Sequence, residues 1–153
     1  MATLDETDRR LLNALQADGR MTNQDLAQTI HLSPAACFDR VKRLRERGVI
    51  KGYTALLDPV AVGLPLLIFV EVSLDRTTVQ ATADFAKAVR ATPQILECHM
   101  VAGGFDYLLK ARVKDMGAYR TLLGETLMGM PGVRETRTYA VLEEVKATTA
   151  LGV

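Results

Sequence analysis

Apolar residues recur at helical spacing in the first third of the chain and at a period of two in much of the rest, so two kinds of structure share one polypeptide. Over residues 5–18, Leu11, Leu12 and Leu15 make one apolar face, with Asp5 placed as the cap and Gly19 as the stop. A second, shorter helix follows, capped by Thr22 and apolar at Leu26, Ala27 and Ile30. His31-Leu32 makes a tight turn. Ser33-Pro34 then opens a third helix, the serine as cap and the proline at the first helical position, where no N–H is needed. Gly48 ends it, being free to take positive φ. Cys37, Val41 and Leu44 form the core stripe of this helix, with Phe38 beside it. The pattern predicts a three-helix helix-turn-helix unit over residues 1–53. Ile50 to Leu57 reads as a short extended segment in which Tyr53 packs on that unit.

Asp58-Pro59 and Gly63-Leu64-Pro65 break the pattern and predict a linker over 54–65, docked through Val60, Ala61, Val62 and Leu64. The period then changes. Leu66 to Leu74 alternates as a strand, Thr78 to Arg90 is helical with Val79, Ala83, Phe85, Ala86 and Val89 inward, and Thr92-Pro93 stops it. Ile95 to Ala102 and Phe105 to Val113 are alternating runs joined by Gly103-Gly104, which is a hairpin signal. Asp115 caps a further helix with Met116, Tyr119, Leu123 and Leu127 inward; Pro131-Gly132 ends it, and Val133 to Val145 is a last strand. Strand, helix, strand, strand, helix, strand is the split βαβ arrangement, an antiparallel sheet with both helices on one face. The fold class is therefore α+β, with a ferredoxin-like domain over 66–153. The uncovered face is assigned Leu67, Phe69, Leu96, Cys98, Met100, Leu108, Ala140 and Leu142. A half-apolar open face predicts a partner sheet, most simply a second copy in a twofold dimer.

Charge changes the picture for the third helix. The net charge is only +1, but residues 40–51 hold six basic groups (Arg40, Lys42, Arg43, Arg45, Arg47, Lys51) against Glu46. Arg40, Arg43 and Arg47 fall on one stripe, flanked by Lys42 and Arg45. A basic face on the second helix of a helix-turn-helix is the layout that enters the major groove, N-terminal residues on base edges and flanks on phosphates. The partner implied is double-stranded DNA, contacted through Ser33, Ala35, Ala36, Asp39, Arg40, Lys42, Arg43 and Arg47.

Cys37 and Cys98 sit in apolar segments far apart, which points to free thiols and a reducing, cytoplasmic setting. The N-terminus has no apolar signal core, and the longest apolar run, Val60 to Val70, is too short to span a bilayer, so no membrane partner is expected. No catalytic set is visible: there is no GxGxxG after a strand, no Walker loop and no HExxH. Glu97, Cys98 and His99 are adjacent, but successive strand residues point to opposite faces and do not converge on a metal. Neither an enzyme nor a metal site is expected.

The segments LDETDRRLLNALQADGR, SPAACFDRVKRL, GVIKGYTALLDP, ECHMVAGGFDYLLKARV, MGAYRTLLGETL and PGVRETRTYAVLEEVK, in this order, resemble the Lrp/AsnC, or feast/famine, family of bacterial and archaeal transcription regulators. The resemblance runs over residues 4–146. It implies a winged or plain helix-turn-helix joined to a ferredoxin-like effector domain, a homodimer through the sheet, and dimers joined into a ring, often an octamer. It implies an amino acid effector, leucine or another apolar one, bound between effector domains, and no other cofactor. Carried over, the pocket is Gly103, Gly104, Asp106 and Tyr107, with Met100, Thr136, Thr138 and Val141 nearby. A glycine turn exposes N–H groups to an α-carboxylate, and Asp106 offers an acceptor to an α-ammonium. The chain departs from the family in two places. Gly104 stands where many members carry a polar residue. Ala35 and Ala36 stand where relatives often carry a hydroxyl, which shifts base contact to Ser33, Asp39, Arg40 and Arg43.

The function expected is a sequence-specific regulator of amino-acid metabolism whose DNA binding or assembly responds to an amino acid. Two alternatives remain: a nucleoid-associated protein that wraps DNA with little sequence choice, and an amino-acid-binding regulatory subunit of a metabolic enzyme.

Overall fold

The computed structural model describes residues 3–153 and divides them into two compact units. The first takes in the described residues up to Leu56 together with Lys146–Val153; the second is Leu57–Val145. The expected first domain, 1–53, begins with two residues that lie outside the described ones. The segment Lys146–Val153, expected to close the second domain, packs with the first unit.

Three helices build the first unit: α1 (Glu6–Ala17), α2 (Asn23–Thr29) and α3 (Pro34–Glu46). Each begins on a side chain that satisfies an orphan N–H of the first turn. Asp5 accepts from the Asp8 N–H at 2.7 Å, Thr22 from Asp25 at 3.1 Å and Ser33 from Ala36 at 3.3 Å. Pro34 occupies the first turn of α3, and Gly48 follows it at φ +68. The turn between α2 and α3 places His31 at φ +58, a left-handed conformation uncommon outside glycine, in which histidine is among the better tolerated residues. α1 ends at Asp18 in extended backbone, one residue before the expected glycine stop. Leu11, Leu12, Leu26, Ala27, Ile30, Cys37 and Leu44 form the core, and Val153 packs against it. The tail is held by Gln16, which donates to the Leu151 carbonyl (2.9 Å) and accepts from the Leu151 N–H (2.6 Å). The expected extended segment Ile50 to Leu57 forms no strand. A lone extended stretch has no ladder to complete its backbone hydrogen bonds.

The second unit is a four-stranded antiparallel sheet in the order β2-β3-β1-β4. Its elements are β1 (Leu66–Leu74), α4 (Val79–Arg90), β2 (Ile95–Met100), β3 (Tyr107–Val113), α5 (Met116–Thr121) and β4 (Val133–Ala140). α5 runs on into a π turn, Leu122–Thr126, and a 3-10 turn, Leu127–Gly129. The helices cover one face only. Ile68, Val70, Val72 and Leu74 of β1 and Tyr107, Leu109, Ala111 and Val113 of β3 pack against Phe85, Val89, Tyr119, Leu122 and Leu127. The expected inward residues Val79, Ala83 and Met116 are exposed, because each lies at or near the start of its helix and off the apolar stripe. β4 stops at Ala140 rather than Val145.

The open face carries Leu67, Phe69 and Leu108, as expected, together with Glu71, Lys110, Glu97 and His99. Cys98 and Met100 belong to the other face, opposite Leu109 and Tyr107 in the register, and Ala140 is paired with Ile68 there. The register slips between Ile95 and Glu97, so Leu96 is the extra residue of a bulge. Leu142 follows the strand and is fully exposed. The expected docked linker is a chain of turns: Asp58 accepts from the N–H groups of Val60 (2.8 Å) and Val62 (3.1 Å), and Leu64 donates to the Pro59 carbonyl at 2.7 Å. Its Val60, Val62 and Leu64 side chains are exposed, not buried.

Candidate functional site

The basic stripe of α3 is not a free face. Arg40 donates from Nη1 to Oδ2 of Asp5 at 2.7 Å and to Oδ1 of Asp8 at 2.8 Å. Arg43 donates from Nη2 to the same Asp8 carboxylate, at 3.0 and 3.3 Å, and Arg47 reaches the Thr3 carbonyl at 3.5 Å. Helical periodicity puts these three residues on one side of α3, and that side turns out to be the seam with α1. Access still differs along the stripe: the Arg40 side chain is 26% exposed, Arg43 48%, and Asp8 only 2%. The Arg40 guanidinium, then the Asp8 N–H, hold the Asp5 carboxyl below its usual range. Asp5, then Asp8, push the already high Arg40 pKa higher.

The remaining sequence-predicted contact residues stand clear. Ser33, Ala35, Ala36, Asp39 and Lys42 are all exposed, and the first turn of α3 is open along its outer side. Asn23 fixes that turn by donating to the Pro34 carbonyl at 2.8 Å. Lys42 is paired only loosely, 3.9 Å from Glu46. Next to it, Lys42, Arg45 and Lys51 rim an open groove of about 600 Å³ whose walls include Phe38, Leu15, Leu26 and Tyr53. The sequence places Asp5 as the cap and offers no role for Asp8. The available signal was a pair of carboxylates three residues apart on one helix, facing arginines three apart on another.

In the second unit Asp106 anchors the β2–β3 hairpin. Its carboxylate accepts from the Leu74 N–H at 2.7 Å, its own N–H donates to Val72, and its carbonyl accepts from Val101, both at 3.0 Å. Gly103 and Gly104 lie exposed at the tip. Neither has the left-handed φ seen at Gly48, Gly63 and Gly132, and a β-carbon at either would meet nothing within 4 Å. The fold of this chain therefore does not itself require glycine at those two positions. Beside them a concavity of about 60 Å³ is lined by Glu71, Ser73, Gly104, Phe105, Glu135, Thr136 and Arg137. That volume takes about two waters, too little to enclose an amino acid. Its charges are of both signs: Arg137 lies 3.8 Å from Glu71, which also accepts from the Tyr139 hydroxyl at 2.9 Å.

The other expected pocket residues are dispersed. Tyr107 is buried, its ring 4.6 Å from that of Phe85, and burial, then Cys98 and Asp106, push its phenol pKa up. Met100 pairs with it across the hairpin but is largely exposed. Thr138 bonds the Tyr119 hydroxyl at 2.6 Å, and Thr136 the Met128 sulfur at 3.6 Å, so both reach into the helix layer. Val141 bonds Leu67, at the other end of β1 from Leu74, roughly 20 Å from the hairpin at the rise of a strand. Of the expected pocket residues, only Gly104 and Thr136 border that concavity among the described residues.

Glu97 and His99 meet on the open face at 3.2 Å while Cys98 turns inward. Lys110, then His99, hold the Glu97 carboxyl below its usual range. Both cysteines are free, and burial raises each thiol. Among the described residues no group of three or more His, Cys, Asp and Glu is placed to hold a metal ion, and no helix is long and apolar enough to cross a membrane.

Comparison with known proteins matches residues 4–51 to a winged helix-turn-helix DNA-binding domain and residues 67–151 to the Lrp/AsnC ligand binding domain. The leucine-responsive regulatory proteins of Klebsiella pneumoniae and Escherichia coli K12 are 53% identical over 148 residues, 97% of this chain and 90% of theirs. Among solved structures, a transcriptional regulator of Neisseria meningitidis in complex with L-methionine superposes with a TM-score of 0.93 at 42% identity, covering 97% of this chain and 96% of that one. An AsnC family regulator of Agrobacterium tumefaciens gives 0.92 at 31% identity, with the same coverage.

Proposed function

The chain belongs to the Lrp/AsnC family of transcriptional regulators, and from that premise we propose how it engages DNA and which effector it senses. It is an amino-acid-responsive, DNA-binding transcription regulator, and its family is not one of enzymes. The reading assigns sequence-specific contact to the outer side of α3. Ser33, Ala35, Ala36 and Asp39 face base edges, while Lys42, Arg43 and Arg47 face phosphates, with Arg40 held mainly against α1. The observation that carries this is the open first turn of α3, fixed by the Ser33 cap and by Asn23 yet bare of protein on its outer side. Duplex band shifts test it: binding that falls steeply with salt, at half-sites roughly 34 Å apart, is expected. No binding at low salt by folded protein refutes it.

The effector proposed is an apolar amino acid, leucine or methionine, acting on genes of amino-acid metabolism. Support comes from the Gly103-Gly104 tip, from the mixed charges of Glu71, Glu135 and Arg137 around Gly104, and from the methionine in the Neisseria regulator. The small concavity supplies half a site, so the rest is assigned to a second copy, in a homodimer that assembles further to an octamer in the cytoplasm. A thermal-shift screen of the amino acids, with sizing in parallel, tests this part; no shift with any of them at millimolar concentration refutes it. A second reading, nucleoid-associated wrapping with little sequence choice, is favoured by the two alanines Ala35 and Ala36 at the reading end of α3. A ratio of specific to random binding near one supports that reading instead.

A further inference from the structure

The acid pair on α1 raises a question of sign. A carboxylate beside a DNA-facing helix ordinarily repels phosphate, and Asp8 sits within hydrogen-bond distance of two of the arginines that sequence alone assigns to DNA. Either Asp8 sequesters those arginines or it holds them in place for use.

Asp8 differs from an ordinary surface acid in three respects. Its side chain is 2% exposed, so the carboxylate is not there to be solvated. One oxygen, Oδ1, takes Arg40 at 2.8 Å and Arg43 at 3.0 Å together, which ties two successive turns of α3 to the first turn of α1. And it engages Arg43 only through Nη2, leaving Nη1 and Nε of a side chain that remains 48% exposed. A guanidinium carries five N–H groups in a rigid fork, so one edge can be held by protein while another meets a phosphate. Asp5 does something else: it is 53% exposed, caps α1 and takes Arg40 alone.

We infer that Asp8 is a positioning residue for DNA binding: it holds the Arg43 guanidinium with its free edge directed to a backbone phosphate, and through Arg40 it sets the angle of α3 on α1. This rests on the DNA-binding reading given above. It predicts that removing a negative charge from this surface weakens binding to a negatively charged polymer. A side chain already immobilised in the free protein loses less entropy on binding. Asparagine at position 8 removes the charge and puts an NH₂ in place of Oδ2, donor to donor with the Arg43 guanidinium, so the hold on Arg43 weakens while Arg40 keeps its bond to Asp5.

The test is duplex binding by the full chain across a salt series. Asp8→Asn is expected to weaken affinity about fivefold, the order for one long side chain, Arg43, that must be ordered anew on binding. It should also make the slope of log K against log salt shallower by about 0.9, one phosphate contact. A purely structural role does not move that slope in the folded fraction. Asp5→Asn is the charge-matched control, since asparagine caps a helix equally well; binding equal to or tighter than that of the unsubstituted protein is expected. In an Arg43→Ala background, Asp8→Asn should have little further effect on affinity. Should Asp8→Asn fail to fold, Arg43→Lys carries the test: it keeps the charge but lacks the fork, and is expected to lose affinity. Asp8→Asn binding as well as or better than the unsubstituted protein overturns the inference, as does an undiminished Arg43→Lys or full additivity of the Asp8 and Arg43 changes. If the unsubstituted protein binds no duplex, the underlying DNA-binding reading falls and this inference falls with it.

Discussion

Asp106 offers a prediction that separates holding the hairpin from contacting a ligand. Its carboxylate accepts the Leu74 N–H at 2.7 Å, and Leu74 itself is buried at 5% exposure. Asp106→Ala leaves that N–H without a partner at the end of β1. A hydrogen bond to a charged group contributes about 1.5–3 kcal/mol, and an orphaned buried donor costs a similar amount. The backbone bonds from Asp106 to Val72 and from Val101 to Asp106 survive the change, which argues for the lower half of that range. For a unit of this length, 1 kcal/mol moves the midpoint by roughly 4–8 °C, so a fall of roughly 6–18 °C is expected in the transition of the second unit. Asp106→Asn keeps a neutral acceptor and should cost about 1 kcal/mol less than alanine. The assay is differential scanning calorimetry with and without amino acids. If Asp106 also receives an α-ammonium, Asp106→Asn keeps most of its stability yet loses the ligand-induced shift. An Asp106→Ala protein melting within a degree of the unsubstituted one refutes the assigned anchoring role.

Other changes test neighbouring parts of the account. Gly48→Ala, at φ +68, should destabilise the first unit by about 1 kcal/mol, whereas Gly103→Ala, with open space around it, should leave the melting temperature unchanged and weaken any amino acid response; urea titration and thermal shift check the pair. Leu44→Ala removes a fully buried side chain from a small core and should cost about 2–5 kcal/mol, abolishing duplex binding while the second unit still melts cooperatively in calorimetry. The Glu97 carboxyl is depressed by Lys110, so its favourable contribution is present at neutral pH and fades as pH falls through its folded pKa; Lys110→Ala should raise that titration toward the ordinary carboxylate range in carbon-detected NMR. Deleting Lys146–Val153 removes Val153 from the helical core and both bonds to Gln16, and should lower the stability of the first unit in circular dichroism melts.

Much of this architecture is local, and local features are readable in a sequence. Asp5, Thr22, Ser33, Thr78 and Asp115 each cap the helix they precede, because a side-chain oxygen reaches an N–H two or three residues on with no help from the rest of the chain. The alternation in β1 and β3 places Ile68, Val70, Val72 and Leu74, and Tyr107, Leu109, Ala111 and Val113, on one face for the same reason. β2 was harder. The bulge at Leu96 interrupts the alternation, and whether Cys98 and Met100 face helices or open space depends on which strand lies beside them. The candidate pocket was legible as a list drawn from resemblance. The distance between Val141 and the hairpin follows only from the antiparallel register, which sends the chain back to the start of β1.

The sequence by itself determined the helix-turn-helix, its caps and its basic helix, the βαββαβ order and the family, since each rests on residue identity at short range or on motifs in order. The tertiary structure alone decided what that basic stripe touches. A helical wheel says which residues share a side and never what lies opposite, so the burial of Asp8 between Arg40 and Arg43, and the return of Val153 to the first core, appear only when segments 32–140 residues apart are brought together.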